Sequence, residues 1–244
     1  WGGEDGSFDT STGVSSTPEY GKVFISVKST TGLNLTTSQK ENLEKDLAPF
    51  KVASITPVVV NPETTFVILG ITFNYNSSAT TQSKTDLESS VSTTISNFNN
   101  NKLKNFNSPF RHSELTGLID DTDSAITNNT TTVTMGKFFT PSLTTSSNYT
   151  VSFNNAFYNP HSGHNSGGGG VIASTGFQID GDTSTEYFFD EDGSGNLRIY
   201  SIVSGTRTYL NSTAGTVDYA NGIVSINALK ITAVSNIDGE TSTT

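Results

Sequence analysis

Between residues 20 and 63, apolar residues recur first at every second position and then at every third or fourth position. A short continuous apolar run follows. The first part alternates apolar and polar residues, which predicts a β-strand; its apolar residues are Val23, Ile25 and Val27. The second part has apolar residues at i, i+4 and i+7, which predicts a helix ending near Pro49; these residues are Leu43, Leu47 and Phe50. The run from Val58 to Val60 predicts a second strand, so the segment is predicted to be a β-α-β unit.

Comparable patterns continue to residue 126. Ser38 and Glu41 have the spacing of a capping box, in which two side chains satisfy each other's free backbone N–H groups, so the first helix is predicted to start here. A strand is predicted from Thr64 to Tyr75, with one face formed by Val67, Leu69, Ile71 and Phe73. Two more helices are predicted, over residues 82–98 and 113–120. Their inward stripes are Leu87, Val91, Ile95 and Phe98 in the first, and Leu115, Leu118 and Ile119 in the second.

The pattern changes after residue 126. Short apolar runs recur every 8–12 residues between turn signals, and Asn221-Gly222 is the pair expected in a type I′ hairpin turn. This predicts an all-β, sandwich-like domain over residues 127–236. The fold class is therefore α+β: a small ferredoxin-like mixed α/β domain over residues 19–126, followed by the all-β domain. Residues 1–18 are predicted to be a linker and residues 237–244 a flexible tail. Because residue 1 is Trp, we interpret the chain as a fragment or a processed product.

Charge and cysteine content restrict the possible functions. The formal net charge is −10 and no cluster of Lys and Arg offsets it, so nucleic acid is not expected as a partner. No apolar run approaches 18 residues, so no membrane-spanning segment is expected. Cysteine is absent, which excludes thiol redox chemistry and Cys-ligated metal sites.

Two segments carry metal-ligating residue types. The loop from Asp190 to Asn196 presents oxygen ligands at alternate positions, as a calcium loop does, but it lacks the distal glutamate of an EF-hand. An acidic hairpin tip is the simpler interpretation. His161 and His164 lie three residues apart, and His112 is the one other histidine. Zinc needs three or four ligands, so we interpret them as loop residues and expect no metal.

Candidate catalytic residues are few. Asp120, Asp121 and Asp123 follow an apolar helix face and could act in acid–base chemistry or bind a divalent ion. An acidic turn after a helix explains them equally well. Residues 168–173 match the spacing G-x-G-x-x-A, but no strand and helix flank them as dinucleotide binding requires. No catalytic residue, cofactor or small-molecule substrate is therefore expected.

Four stretches of the chain resemble one protein family. They are residues 1–4 (WGGE), 19–29 (EYGKVFISVKS), 35–63 (LTTSQKENLEKDLAPFKVASITPVVVNPE) and 105–129 (NFNSPFRHSELTGLIDDTDSAITNN). They resemble the baseplate wedge subunits of contractile-tailed, myovirus-type bacteriophages, the inner-ring wedge proteins related to J-like baseplate proteins. The resemblance extends over about residues 1–129 and is to the C-terminal part of the wedge protein.

This resemblance implies a structural role without catalysis. Such subunits pair as dimers within a ring around the tail hub, and they contact other wedge and hub proteins. The implied location is the virion, in the tail baseplate, after assembly in the host cytoplasm. Aromatic pairs in the β-domain are candidate interface anchors, although ordinary core residues are the simpler interpretation; the pairs are Phe138-Phe139 and Phe157-Tyr158.

Two other functions are compatible with parts of the sequence. A bacterial surface adhesin or carbohydrate-binding β-module would suit the Thr-, Asn- and Gly-rich β-domain with its Asp-rich loop, but the helix-containing first domain is unusual for that class. A hydrolase would depend on Asp120, Asp121 and Asp123 alone.

Overall fold

The computed structural model describes residues 20–29, 34–52, 54–161, 163–164 and 170–235. The predicted linker and tail lie outside these residues. The chain divides into two compact units. The inserted unit is Phe66–Gly136, and the split unit is formed by the two segments that flank it, Trp1–Thr65 and Lys137–Thr244.

Strands outnumber helices in the described residues. In chain order the strands are β1 Lys22–Ser26, β2 Thr56–Val60, β3 Phe66–Tyr75, β4 Ile126–Gly136, β5 Ser147–Ser152, β6 Phe177–Ile179, β7 Asp182–Glu191, β8 Asn196–Val203, β9 Thr206–Asp218, β10 Ile223–Leu229 and β11 Ile231–Val234. The α-helices are α1 Thr37–Leu47, α2 Lys84–Phe98 and α3 His112–Asp120.

The inserted unit combines the antiparallel pair β3–β4 with α2 and α3. Its core is apolar, and its buried residues are Val91, Phe98, Leu115, Ile119 and Ile126. The predicted stripe of α2 is therefore confirmed, and α2 begins with a capping box between Ser83 and Asp86. Leu118 was predicted to point inward, but it is 39% exposed. In this short helix, the i, i+4 pair Leu115 and Ile119 already forms the buried face.

The first part of the split unit contains β1, α1 and β2, with β1 and β2 parallel. The predicted capping box is displaced by two residues. Thr36 is the N-cap, its Oγ1 accepting from Gln39 N at 3.3 Å while its own N donates to Gln39 Oε1 at 2.9 Å. Phe50 does not continue the stripe of α1, because the helix ends at Leu47 and a 3₁₀ turn with Pro49 follows. Phe50 is therefore exposed.

The second part of the split unit is a seven-stranded antiparallel sheet in the order β11-β6-β7-β8-β9-β10-β5. One face of this sheet carries the larger core. Its buried residues are Tyr149, Phe177, Tyr187, Phe189, Leu197, Ile199, Ala214, Val217, Val224, Ile226 and Ile231. The chain is thus α+β. The ferredoxin-like and sandwich arrangements stay predictions, since β1–β2 and β3–β4 are separate two-stranded sheets within the described residues.

One predicted turn is wrong. At Asn221-Gly222 only the glycine has a positive φ, 65°, and the connection from β9 to β10 has four residues. The two-residue turn with two positive φ angles is instead Ser204-Gly205, at 50° and 79°, between β8 and β9. Such a turn matches the twist of adjacent strands, so β8 and β9 form a tight hairpin. Within the described residues, no helix is long and apolar enough to cross a membrane.

Candidate functional site

The β8–β9 hairpin brings an arginine- and tyrosine-rich surface together on the sheet face opposite the larger core. The turn at Ser204-Gly205 fixes the register, which pairs Ile202 with Arg207 and Tyr200 with Tyr209. The neighbouring strand β7 adds Phe188 and Asp190 opposite Tyr200 and Arg198. Alternate residues of a strand share a face. We call this set the hairpin surface; it consists of Phe188, Asp190, Arg198, Tyr200, Ile202, Arg207 and Tyr209.

Asp190 is the centre of this surface and is only 3% exposed. Arg198 approaches it with two nitrogens, Nε at 2.9 Å from Oδ1 and Nη2 at 3.2 Å from Oδ2. Arg207 Nη1 lies 2.7 Å from Oδ2, and the Tyr209 hydroxyl donates to the same oxygen at 3.0 Å. A buried carboxylate needs such charged and hydrogen-bonding partners to offset its lost hydration.

The two guanidinium groups also stack on the tyrosine rings. Arg198 lies 4.3 Å from the ring centroid of Tyr209, and Arg207 lies 4.7 Å from that of Tyr200. Cation–π contacts of this kind favour arginine over lysine. With two cations and one carboxylate, the cluster is locally positive in a chain of net charge −10.

Aliphatic side chains at the same hairpin are exposed. Ile202 is 58% and Leu210 55% exposed, while Tyr209 is 40% exposed. The register between β8 and β9 shifts by one residue next to Leu210, because Tyr200 pairs with Tyr209 and Ile199 with Asn211. Exposed Tyr, Arg and aliphatic residues around a desolvated charge are typical of protein interfaces. The hairpin surface is therefore suited to binding another protein.

Glu191 is buried on the opposite face of the sheet, at 2% exposure. Its Oε1 accepts from Val171 N at 2.6 Å, and the Tyr219 hydroxyl donates to Oε2. Burial raises the pKa of this carboxyl, with smaller contributions from the charges of Asp192 and Asp190. Glu191 therefore connects the segment at Val171 to the sheet.

In the loop from Asp190 to Asn196, both carboxylate oxygens of Asp192 are engaged within the protein. Asp192 Oδ1 accepts from Ser194 N at 2.8 Å and Asn196 N at 3.0 Å, and Oδ2 accepts from Asn196 Nδ2 at 2.6 Å. The pKa of Asp192 is lowered: burial is the largest single effect and raises it, but the hydrogen bonds from Asn196 and Ser194 and the charge of Arg198 together outweigh burial. Across the described residues, no group of three or more His, Asp and Glu side chains could hold a metal ion.

Two of the three histidines contact each other. His164 Nδ1 lies 3.2 Å from His161 Nε2, and the Tyr158 ring packs edge-on against His164. His112, in the inserted unit, donates from Nε2 to Thr131 O at 3.0 Å. Within the G-x-G-x-x-A stretch, Gly168 and Gly169 lie outside the described residues.

The acidic cluster after α3 makes local structural contacts. Asp120 Oδ1 accepts from Asn129 Nδ2 at 2.7 Å. Asp123 accepts from Ala125 N at 2.8 Å and from Gln82 Nε2 at 3.1 Å, while Asp121 is the C-cap of α3. These contacts connect α3 to β4 and to the start of α2.

The aromatic pairs divide between core and surface. Phe139 packs against Tyr149 with ring centroids 4.9 Å apart, and Phe157 packs edge-on against Phe153. Both contact the larger core, whereas Tyr158 is 70% exposed. The hairpin surface was not predicted from the sequence. The feature of the sequence that could have predicted it is Ser204-Gly205, a turn that sets which residues of β8 and β9 lie opposite each other.

In the inserted unit, a groove of about 450 Å³ lies between β3 and α2. Its apolar lining is formed by Ile71, Phe73 and Tyr75 of β3 and by Val91 and Ile95 of α2. Lys84 and Glu88 lie beside it as an i, i+4 ion pair of 3.5 Å. The groove offers apolar contact but no reactive side-chain constellation.

Two family models match adjacent parts of the chain. Residues 1–60 match the one described as "Baseplate structural protein gp6, C-terminal domain I", and residues 63–137 match the one described as "Baseplate structural protein gp6, C-terminal domain III". The chain belongs to the gp6 family of baseplate structural proteins. The domain III match has nearly the same bounds as the inserted unit, Phe66–Gly136, so the gp6 domain corresponds to a compact body of this chain.

A curated relative agrees with this assignment. The chain is similar to the baseplate wedge protein gp6 of Enterobacteria phage T4, with 29% identity over 115 residues. The matched segment is 47% of this chain and 17% of the relative. The resemblance seen in the sequence is thereby confirmed as one to the C-terminal part of a baseplate wedge subunit.

Proposed function

We propose that the chain is a structural part of a phage tail baseplate wedge and acts through protein–protein contacts alone, without catalysis. The observation that carries this proposal is the pair of adjacent gp6 matches over residues 1–60 and 63–137. The proposal is supported by the structural contacts of most candidate site residues, namely Asp120, Asp123, Asp190, Asp192, His112, His161 and His164. The proposed location is the tail baseplate of the virion, after assembly in the host cytoplasm.

The proposed partners are a second copy, as a dimer within a ring, and other wedge and hub proteins. The hairpin surface supports binding of a protein that presents carboxylates beside apolar groups, since its exposed guanidinium and aliphatic groups complement both. We also propose the ferredoxin-like arrangement for residues 19–126 and the sandwich-like arrangement for residues 127–236.

Purified tails test the role directly. Mass spectrometry of contractile tails from the encoding phage should detect the chain, and loss of its gene should leave no assembled baseplates in electron micrographs. Absence of the chain from intact tails would overturn the proposal.

A variant pair tests the hairpin surface. Ile202→Asp places a carboxylate among the exposed aliphatic groups, and incorporation into tails should fall roughly tenfold or more. Thr208→Asp is the matched control, because Thr208 is exposed on the same hairpin and pairs with Ser201 on the alternate face. Equal incorporation of both variants would assign the assembly contact to another surface.

A further inference from the structure

Three polar side chains converge where the chain returns from the inserted unit to the split unit. They belong to Glu63, Lys137 and Asn154, all of which are residues of the split unit. Lys137 Nζ and Asn154 Nδ2 contact the same oxygen, Oε1 of Glu63, and the asparagine nitrogen lies 2.8 Å from it. Two atoms that are hydrogen-bonded to one oxygen lie within about 6 Å of each other. The lysine amine and the asparagine amide are therefore neighbours, with a carboxylate between them.

The lysine of this group is shielded from water. The side chain of Lys137 is only 4% exposed. In three other lysine–carboxylate pairs, the side chains of Lys84, Lys102 and Lys230 are 73%, 57% and 33% exposed. An amine that is shielded from water and touches a carboxylate able to take its proton is a recognised arrangement for a nucleophilic lysine. Lys137 therefore has the surroundings of a nucleophile.

The side-chain amide of Asn154 is placed to react as the electrophile. The Ser152 hydroxyl donates to Asn154 Oδ1 at 2.9 Å, and a hydrogen bond to a carbonyl oxygen stabilises the negative charge that develops there when its carbon is attacked. Nδ2 is the leaving nitrogen, and its contact with Glu63 Oε1 places it where it can receive a proton. Nucleophile, electrophile and proton carrier are thus present in one cluster.

We propose that Lys137 and Asn154 become joined by an amide bond between their side chains, with Glu63 as the catalytic proton carrier. Glu63 takes one proton from the Lys137 ammonium group, and Nζ attacks Cγ of Asn154. Glu63 gives that proton to Nδ2, and the Cγ–Nδ2 bond breaks. Nζ loses a second proton, which leaves with the departing ammonia as ammonium. The products are one Nζ–Cγ amide and one ammonium ion, and no further reactant is consumed.

The bond closes a loop from residue 137 to residue 154. It therefore joins the start of the second segment of the split unit to the chain just beyond β5, which ends at Ser152. Such a closure restricts the unfolded chain as a disulfide does, in a sequence that has no cysteine. The reaction consumes both side chains and occurs once per chain, so it involves no substrate and no turnover. The inference goes beyond the proposed function and does not depend on it.

Intact mass spectrometry of the purified 244-residue chain tests the bond. The mass should lie below the value calculated from the sequence by about 17 Da, the mass of the ammonia that is lost. The full calculated mass would overturn the proposal, because an ion pair between Lys137 and Glu63 without further reaction leaves the mass unchanged.

Lys137→Arg is the matched control. Arginine keeps the positive charge beside Glu63, but its guanidinium group does not lose its proton in proteins and is no nucleophile. This variant should have its full calculated mass. The same loss of ammonia in Lys137→Arg would overturn the proposal and assign the loss to cyclisation of an asparagine with its own backbone, a reaction that needs no lysine.

Trypsin digestion locates the bond. Trypsin cleaves after free lysine and arginine, so an unmodified chain gives separate peptides of residues 112–137 and 138–198. A Lys137 side chain held in an amide is not recognised, so residues 112–198 should remain one peptide that lacks one ammonia. Fragmentation of this peptide should show residues 137 and 154 joined. Complete cleavage after Lys137 would contradict the bond.

Two further variants test the assigned roles. Glu63→Gln cannot carry protons and should have its full calculated mass, with far-UV circular dichroism confirming that it is folded. Ser152→Ala should slow the loss of ammonia several-fold in freshly synthesised protein, because Asn154 Oδ1 loses its hydrogen-bond donor. Full loss of ammonia in folded Glu63→Gln, at the rate of the wild type, would overturn the role of Glu63.

Discussion

At the scale of single residues, two neighbouring carboxylates of β7 have opposite environments. Asp190 accepts from two guanidinium groups on the outer face, whereas Glu191 accepts from a backbone amide and a tyrosine hydroxyl on the core face. Successive residues of a strand point to opposite faces. The sequence shows both acids, but only the pairing of β7, β8 and β9 shows which cations reach them.

Removal of the Asp190 carboxylate should destabilise the fold. Asp190→Ala leaves Arg198 and Arg207 facing each other without a counter-charge, and we expect a loss of about 2 kcal/mol, since Arg207 is partly solvated. Asp180→Ala is the matched control, because the Asp180 carboxylate lies 2.9 Å from Lys230 Nζ but is 62% exposed. Its loss should be under about 0.5 kcal/mol. Equal losses in urea unfolding would contradict the central role of Asp190.

Glu191 should make stability decrease as pH rises. Its pKa is raised in the folded protein, so the folded state binds a proton more tightly than the unfolded state. This stabilisation is complete below the ordinary carboxyl pKa of 4.5 and is lost as pH rises through the folded value.

Glu191→Gln tests this linkage, because an uncharged amide has no proton to lose. The variant should gain stability over the wild type with increasing pH, as measured by urea unfolding at a series of pH values. Taking the difference from the wild type removes the opposite effect of Asp182 and Asp218, whose pKa values are lowered by local hydrogen bonds. A constant difference between the two proteins would show that Glu191 does not titrate as inferred.

At the scale of elements, helices were predicted better than turns and strand partners. The stripe of α2 depends only on spacing within the helix, and the predicted residues are those that pack in the core. The predicted start of α1 was wrong because both Thr36 and Ser38 are followed three residues later by a Gln or a Glu that can complete a capping box. Spacing alone does not choose between the two. Strand order depends on contacts far apart in the chain, such as β5 with β10, which local patterns do not encode.

Two glycines should respond oppositely to alanine. Gly117 lies inside α3, and an added Cβ would meet no other atom within 4 Å, so Gly117→Ala should stabilise the chain by about 0.5–1 kcal/mol. Gly205 has φ of 79° in the β8–β9 turn, where alanine is strained, so Gly205→Ala should destabilise by about 1 kcal/mol. Thermal denaturation measures both, and destabilisation by Gly117→Ala would contradict the helix assignment.

At the scale of the whole molecule, the two compact units have separate buried cores. Leu115 belongs to the core of the inserted unit and Leu197 to that of the seven-stranded sheet, and neither is exposed to solvent. Calorimetry should therefore resolve two unfolding transitions, with Leu115→Ala lowering one and Leu197→Ala the other, each by about 2–5 kcal/mol. A single transition lowered by both variants would show that the units unfold together.

The ends of the inserted unit are neighbours, because Phe66 and Gly136 are partners in the β3–β4 register. On the split unit, Glu63 and Lys137 form an ion pair just outside these two points, and Asn154 Nδ2 donates to the same Glu63 oxygen at 2.8 Å. The chain therefore leaves and re-enters the split unit at neighbouring residues, which the contacts of Glu63 with Lys137 and Asn154 hold together. An inserted unit joined at neighbouring residues can be lost, gained or exchanged by recombination while the split unit keeps its own contacts. Related phages therefore have a simple genetic route by which the inserted unit can vary alone.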